Sequence, residues 1–198
     1  MSVDATSGIA GTLARIREIT GQATPSATAA QGFAQALAGA QASATPAAPA
    51  ASATVTGAQL DEWMARKNPG APLVGLGGVF VREGEANGID PRALVAIARA
   101  ESSLGADPGA RARNNAFGWG PHQTFASWEE NIATVARGLR RGYLDDGLVT
   151  LAQIQGRYAP LGVSNDPTNL NSNWLRNTTA LYTELGGNPS GSVALDSR

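Results

Sequence analysis

Glu101 is the residue in this sequence whose position most clearly suggests chemistry. It falls in an apolar stripe of a predicted helix, whose other members are Leu94, Ile97, Ala98 and Leu104. The 3.6-residue period of a helix therefore predicts a core-facing side chain at this carboxylate. Removing a carboxylate from water raises its pKa, and an acid that is protonated near neutral pH can protonate a leaving group. The alternative is a glutamate that turns to solvent or pairs with Arg99, Arg111 or Arg113.

Two later segments carry side chains suited to a neutral sugar. Residues 114–120 read Asn-Asn-Ala-Phe-Gly-Trp-Gly, and Tyr158-Ala159-Pro160 places a phenol in a loop after a helix. Trp174 begins the last predicted helix, close to several asparagines. Amides hydrogen bond to hydroxyl and acetamido groups, whereas aromatic faces cover the apolar faces of sugar rings. Each feature taken singly also fits a core role, because buried Trp and Tyr commonly pack inside proteins.

Composition excludes several classes of function. The 198 residues include 15 basic and 16 acidic side chains, so a nucleic-acid binder or a polybasic membrane protein is not indicated. There is no cysteine and a single histidine, His122, which excludes disulfides, thiolate catalysis and the usual Cys/His zinc sites. We expect no metal and no cofactor. No run approaches the roughly 18 apolar residues of a membrane span, so none is expected.

The elements that position these residues are predicted to be helices. Helix-start signals stand at Thr56-Gly57, Asp90-Pro91, Ser127 and Thr150, and a further helix carries Leu76 to Glu83. The helix of Glu101 is predicted to run from Pro91 to about Leu104, and a Gly/Ala/Arg loop is expected to follow it. Alternating runs of β-branched residues are absent, so the predicted class is mainly α.

The chain divides into four predicted parts. Residues 1–19 form a short amphipathic segment, and residues 20–56 an Ala/Thr/Ser/Pro-rich linker with a short helix through Phe33 and Leu37 as one interpretation. No charged residue occurs from Thr20 to Leu60, so this N-terminal region is predicted to be largely disordered. The alternative is a docking or export segment that folds on a partner. Residues 57–187 form the folded domain, and residues 188–198 a disordered tail.

The motifs taken in order carry a resemblance to a known family. They are Gly88-Ile89-Asp90-Pro91, residues 96–105 around the Glu101-Ser102 pair, residues 114–119, and Tyr158-Ala159-Pro160. This series resembles the lysozyme-like glucosaminidases of glycoside hydrolase family 73, relatives of the lytic transglycosylases. The likeness covers about 130 residues, roughly two thirds of the chain.

The resemblance implies a two-lobed, lysozyme-like helical domain whose cleft takes the glycan strands of peptidoglycan. It makes Glu101 the general acid and Tyr158 a residue required for activity. The remaining predicted substrate contacts are Ser102, Asn115, Phe117, Gly118, Trp119 and Trp174.

One departure from the family concerns the second carboxylate. Many members insert a carboxylate-bearing hairpin after the Asn-Asn-x-Phe-Gly loop, whereas here Trp119 leads almost directly to Ser127. Glycosidases usually need such a group as base or nucleophile. Glu129 and Glu130 are explained by the start of a helix, so the candidates are Asp145, Asp146 and, more plausibly near the cleft, Asp166. The substrate's acetamido group could assist instead, or a lytic transglycosylase could capture an internal hydroxyl.

The sequence thus favours an endo-β-N-acetylglucosaminidase acting on peptidoglycan. The alternatives are a lytic transglycosylase of the same fold and a non-catalytic wall-binding or assembly module. The first thirty residues lack a basic start followed by an apolar run, so we expect export to the cell wall or periplasm without a classical signal peptide. The flagellar export apparatus is the expected route, with flagellar rod or export components as partners of residues 1–55. A phage lysin context is the alternative.

Overall fold

A computed structural model describes residues 55–120, 122–163 and 169–195. The predicted segment 1–19, nearly all of the linker and Asp166 lie outside the described residues. The described part of the chain is mainly helical, as predicted, and contains no strand, only an isolated bridge between Ile89 and Ala194. Its seven α-helices are α1 (Gly57–Lys67), α2 (Gly77–Ala86), α3 (Pro91–Ser102), α4 (Pro108–Arg113), α5 (Trp128–Gly142), α6 (Leu151–Tyr158) and α7 (Trp174–Glu184). Two 3₁₀ turns cover Leu144–Asp146 and Leu170–Asn173.

The predicted start signals do begin helices. Thr56 and Thr150 each form a capping box with the glutamine three residues later. Asp90 caps α3 by accepting a hydrogen bond from the backbone N–H of Arg92, and Pro91 follows it at the first helical position. These local bonds satisfy N–H groups that a helix leaves without internal partners.

Helix α3 forms the centre of the core. Every residue from Ala93 to Ala98 is buried, so this stretch is covered on all sides rather than along one stripe. Helices α2 and α7 both pack against it. Its N-terminus is fixed by a buried network in which Asp90 pairs with Arg92 and accepts a 2.8 Å hydrogen bond from the hydroxyl of Tyr182 on α7. The helix that carries Glu101 is therefore a rigid support.

Helix α3 ends two residues earlier than predicted. Ser103, Leu104 and Gly105 all have positive φ angles, of 55°, 64° and 78°, which turns the chain sharply after Ser102. Left-handed backbone is unfavourable for residues with a side chain, so the surroundings must hold it in place. The side chain of Asn68 does so by donating a 2.8 Å hydrogen bond to the carbonyl of Ser103.

The expected Gly/Ala/Arg loop contains helix α4. Asp107 caps it by accepting hydrogen bonds from the N–H groups of Gly109 and Ala110, and Pro108 occupies its first position. The helix ends at Asn114, whose φ of 48° lies in the left-handed region. The segment of residues 114–120, whose side chains suit a neutral sugar, therefore begins at the C-cap of α4.

The prediction of a disordered tail from residue 188 is wrong for residues 188–195. Val193 is buried in the core, and its carbonyl accepts a 2.8 Å hydrogen bond from the N–H of Asp90. Its own N–H donates to the carbonyl of Val149 at 2.7 Å. Because Val193 buries an apolar side chain between two satisfied backbone groups, the folded domain extends to Leu195. Across the described ranges, no helix has the length and apolar character needed to cross a membrane.

Candidate active site

Glu101 lies in the last turn of α3, at the point where the helix leaves the core. The prediction that its side chain faces the core is wrong, since the residue is exposed while Ala98 and Ser102 are buried. The structure shows the alternative of a glutamate that turns to the surface, whereas the alternative of an arginine partner is not found among the described residues. Among the described residues, no lysine or arginine forms an ion pair with Glu101. The carboxylate therefore stands at the surface of the domain without a counter-charge.

The indole of Trp174 holds one oxygen of this carboxylate. Its Nε1–H donates a 2.6 Å hydrogen bond to Glu101 Oε1, joining the end of α3 to the start of α7. Trp174 is itself buried, so its ring cannot turn away freely. Protein atoms crowd the carboxyl group and raise the pKa of Glu101 by desolvation, and the hydrogen bond from Trp174 offsets part of that rise. Because the residue keeps an exposed edge, this desolvation is partial.

Gly118 lies beside the other oxygen. A Cβ atom built on Gly118 would be 3.5 Å from Glu101 Oε2, and no other described atom outside its neighbours comes within 4 Å. Gly118 is exposed and has a φ of 60°, a conformation that favours glycine. The Asn-Asn-Ala-Phe-Gly loop thus brings bare backbone to the carboxylate and leaves the space above it open.

Tyr158 holds this loop in place through a hydrogen bond. Its hydroxyl donates a 2.6 Å hydrogen bond to the carbonyl of Phe117, the residue before Gly118. Burial, the nearby charge of Glu101 and Tyr143 raise the pKa of Tyr158 well above its ordinary value, so the phenol stays neutral and keeps its proton. The two residues predicted to be catalytic therefore meet at one loop. Tyr158 acts there by positioning backbone, because its proton is already engaged.

Four aromatic rings form a cluster next to the carboxylate. Tyr158 lies 5.4 Å from Trp174, 6.1 Å from Trp119 and 6.3 Å from Tyr143, measured between ring centroids. Tilted rings at these separations are in favourable contact. Trp119 is half-buried, so it retains surface that could face a ligand. Of the predicted aromatic contacts, Trp119 is the one whose exposure suits a sugar ring.

The structure gives three predicted substrate contacts a different role. Phe117 is 1% exposed and belongs to the core, so it has no face for a ligand. Asn115 is buried, and its amide donates to the carbonyls of Trp119 and Gln123 while its oxygen accepts from the N–H of Trp119. These hydrogen bonds of the Asn115 side chain join the two ends of the loop.

Ser102 is the third of these residues. It is buried, its hydroxyl lies 2.7 Å from the carbonyl of Ala116, and its oxygen accepts from the N–H of Gly105. It therefore ties the end of α3 to the loop instead of facing a ligand. Asn131 on α5 holds the loop at the same residue, because its side-chain oxygen accepts a 2.9 Å hydrogen bond from the N–H of Ala116.

Two residues of the site carried no functional prediction. Asn131 lies in an apolar helix face that gave no sign of a polar role. Gly138, also on α5, seats Trp119, since a Cβ atom there would lie 2.2 Å from Cζ2 of the indole. A lone glycine inside a helix is the signal that could have found it, because glycine disfavours helix interiors.

The other predicted carboxylates have partners elsewhere or fall outside the description. Asp145 pairs with Arg140 and Asp146 with Arg157, each at 2.7 Å. Asp166 lies outside the described residues. Within the ranges that the structure describes, no group of three or more His, Asp or Glu side chains is placed to hold a metal ion.

No protein-family model matches this chain, and no curated protein matches it either. What the site can do chemically follows from the geometry of four residues: Glu101, Trp174, Gly118 and Tyr158. A carboxyl group with a raised pKa, one oxygen held by Trp174 and the other without a hydrogen-bond partner among the described residues, is equipped to transfer a proton to a bound molecule.

Proposed function

We propose that this chain cleaves glycosidic bonds in the glycan strands of peptidoglycan, as an endo-β-N-acetylglucosaminidase with Glu101 as general acid. The observation that carries the proposal is the exposed Glu101, whose carboxyl group is held through Oε1 by Trp174 while Oε2 lies beside Gly118 without a hydrogen-bond partner among the described residues. The ordered motifs described above add the expected substrate class. Aromatic surface at Trp119 supplies the kind of platform on which a sugar ring packs.

Cleavage of a glycosidic bond requires one proton donor that acts on the bridging oxygen. Desolvation keeps the carboxyl group of Glu101 protonated to higher pH than an ordinary glutamate. When the bond between the anomeric carbon and the bridging oxygen breaks, that oxygen takes the electron pair and the proton. Partial positive charge then develops at the anomeric carbon, near the carboxylate that Glu101 has become.

A lysozyme-like, two-lobed arrangement with a cleft for glycan is part of the same proposal. The mainly helical domain, with a buried central helix ending in the acid, is compatible with it. The glycan would then run across the open side of Glu101 and Gly118, with Trp119 at its flank.

A lytic transglycosylase is a second candidate for the same site. The ion pairs of Asp145 and Asp146 favour it, because both carboxylates are engaged with arginines rather than free to activate a water. In that reaction an internal hydroxyl of the sugar attacks the anomeric carbon and loses its proton. For this reaction a single carboxyl group is sufficient, because it can act first as the acid and then as the base.

Mass spectrometry of fragments released from purified peptidoglycan tests the proposal. New reducing N-acetylglucosamine ends from the wild type, absent with Glu101→Gln, are the expected result. Glu129→Gln is the matched control, since Glu129 is an exposed glutamate in the first turn of α5. Anhydro-muramic ends would assign the transglycosylase, whereas binding to walls without fragments would leave only a binding module.

The cellular setting is a further part of the proposal. We infer export to the cell wall by the flagellar route, with residues 1–55 contacting rod or export components, and a phage lysin is the alternative setting. Deleting residues 1–55 should abolish export while the purified domain keeps its lytic activity. Normal export of the truncated chain would contradict this role.

A further inference from the structure

The two oxygens of the Glu101 carboxyl group are in different surroundings. Oε1 accepts the 2.6 Å hydrogen bond from the indole of Trp174, at the start of α7. Oε2 faces the backbone of exposed Gly118, where a Cβ atom would lie 3.5 Å away. Nothing in the sequence motifs distinguishes these oxygens, because Glu101 and Trp174 are 73 positions apart.

An indole N–H is a donor and cannot accept a hydrogen bond. In a protonated carboxyl group the carbonyl oxygen is a better acceptor than the hydroxyl oxygen, so the hydrogen bond from Trp174 to Oε1 favours the proton on Oε2. The proton is placed on Oε2, the oxygen that faces the open space over Gly118. The hydrogen bond from Trp174 thus determines which oxygen of Glu101 carries the proton.

Trp174 is held in this position by its neighbours. It is buried at the start of α7, and its ring lies 5.4 Å from the ring of Tyr158. The hydroxyl of Tyr158 is bound in turn to the carbonyl of Phe117, next to Gly118. The donor to Oε1 and the backbone beside Oε2 are therefore positioned by one connected set of contacts.

We propose that Trp174 is a positioning residue which fixes Oε1 of Glu101, so that Oε2 is the proton-donating oxygen and the scissile bond lies over Gly118. This inference rests on the proposed function for its substrate. In the reaction, the proton passes from Oε2 to the bridging oxygen, which also receives the electron pair of the broken bond. A water or an internal sugar hydroxyl then bonds to the anomeric carbon and gives up one proton to the carboxylate.

The hydrogen bond from Trp174 becomes stronger as this step proceeds. A bond to a neutral carboxyl group turns into a bond to a carboxylate, and charge-assisted hydrogen bonds are about twice as strong as neutral ones. Trp174 therefore stabilises the product of proton transfer more than the starting acid. Loss of its N–H should make Glu101 a weaker acid and a slower proton donor.

Titration of the Glu101 carboxyl carbon by NMR tests the inference directly. Trp174→Phe keeps an aromatic ring against Tyr158 but removes the donor, so the pKa of Glu101 should rise. Trp63→Phe is the matched control, because Trp63 on α1 is buried to a similar degree and forms no hydrogen bond with Glu101. It should leave the pKa of Glu101 unchanged. An unchanged or lower pKa in Trp174→Phe would overturn the inference.

The pH profile of wall cleavage gives a second readout that a merely structural role would not move. The general acid is active below its pKa, so the alkaline limb of kcat should shift to higher pH in Trp174→Phe. At lower pH, kcat should fall on the order of 10-fold, the size of effect that a hydrogen bond to a charged group supplies. An unshifted limb with a uniform loss of kcat would mean that Trp174 only maintains the fold.

Other titratable groups at this site do not confuse the assay. Tyr158 and Tyr143 lie near the carboxylate or its aromatic support, and burial raises the pKa of each above its ordinary value. Both phenols therefore stay neutral across the range in which a glutamate titrates. A single step in the titration is the expected shape.

A measurement on the wild type covers the case in which Trp174→Phe does not fold. The indole proton of Trp174 should shift along the titration of Glu101, whereas the indole proton of Trp63 should not. If the Trp174 proton is insensitive to that titration, the hydrogen bond does not exist and the inference fails. If the titrations behave as expected but the wild type releases no fragments from walls, the proposed function fails and the acid's geometry stands.

Discussion

Replacing Gly138 by alanine should displace the indole of Trp119 and thereby damage the site. A methyl group at this position would lie 2.2 Å from Cζ2 of Trp119, about 1.2 Å inside an ordinary contact distance of 3.4 Å. Alanine normally stabilises a helix interior by about 1 kcal/mol relative to glycine. Overpacking costs about 1–3 kcal/mol. The free energy of unfolding should therefore fall by about 0–2 kcal/mol instead of rising.

Gly156→Ala is the matched comparison, because Gly156 lies inside α6 with nothing within 4 Å of a new methyl group. Urea denaturation should show Gly156→Ala to be more stable than the wild type by about 1 kcal/mol. It should exceed Gly138→Ala by about 1–3 kcal/mol, which is the cost of displacing Trp119. Cleavage of purified walls should fall in Gly138→Ala only. Equal stabilisation by both substitutions would refute the close contact between α5 and Trp119.

Three further outcomes are expected. Gly118→Ala and Gly147→Ala both place alanine at positive φ and should each cost about 1–2 kcal/mol in denaturation experiments, but only Gly118→Ala should abolish wall cleavage, since Gly147 has open space around it. Equal losses of activity would contradict an approach over Gly118. Burial and the charge of Asp90 raise the pKa of Tyr182, so stability should be complete below the ordinary tyrosine pKa of about 10 and fall as pH rises further. Tyr182→Phe should flatten that alkaline fall in Tm, and an unchanged slope would count against the buried pair. Because the pKa of Glu101 is raised from its ordinary 4.5, the folded state loses stability as pH rises above that value, so Glu101→Gln should be more stable than the wild type at pH 7 and the difference should shrink toward pH 4.

Most of the helical framework could be predicted because its signals are local. Caps such as Thr56, Asp90 and Thr150 bond to residues only two or three positions away, and proline follows its cap directly. The pair Asp107-Pro108 gives the same signal, so α4 was within reach of the same reasoning. The early end of α3 was not, because the left-handed backbone of Ser103 and Leu104 depends on contacts such as that from Asn68.

The site was predictable in its members but not in their roles. Glu101, Gly118, Tyr158 and Trp174 were all selected from the sequence, and the structure brings them together. Amide and aromatic side chains serve equally well to bind a sugar and to close a loop, so residue type could not show that Asn115 closes the loop. The contact between Glu101 and Trp174 joins distant parts of the chain, and no local pattern encodes it.

The proposal that Glu101 is the acid of a glycan-cleaving enzyme is tested most directly by comparing kcat/KM of the wild type and Glu101→Gln on purified peptidoglycan, with wall binding measured in parallel. Removing a general acid typically costs 10²- to 10⁴-fold in rate. We expect a loss of about that size with wall binding retained, because glutamine keeps the shape of the side chain and its oxygen can still accept from Trp174. Cleavage by Glu101→Gln within about threefold of the wild-type rate, well short of that loss, would contradict the central claim.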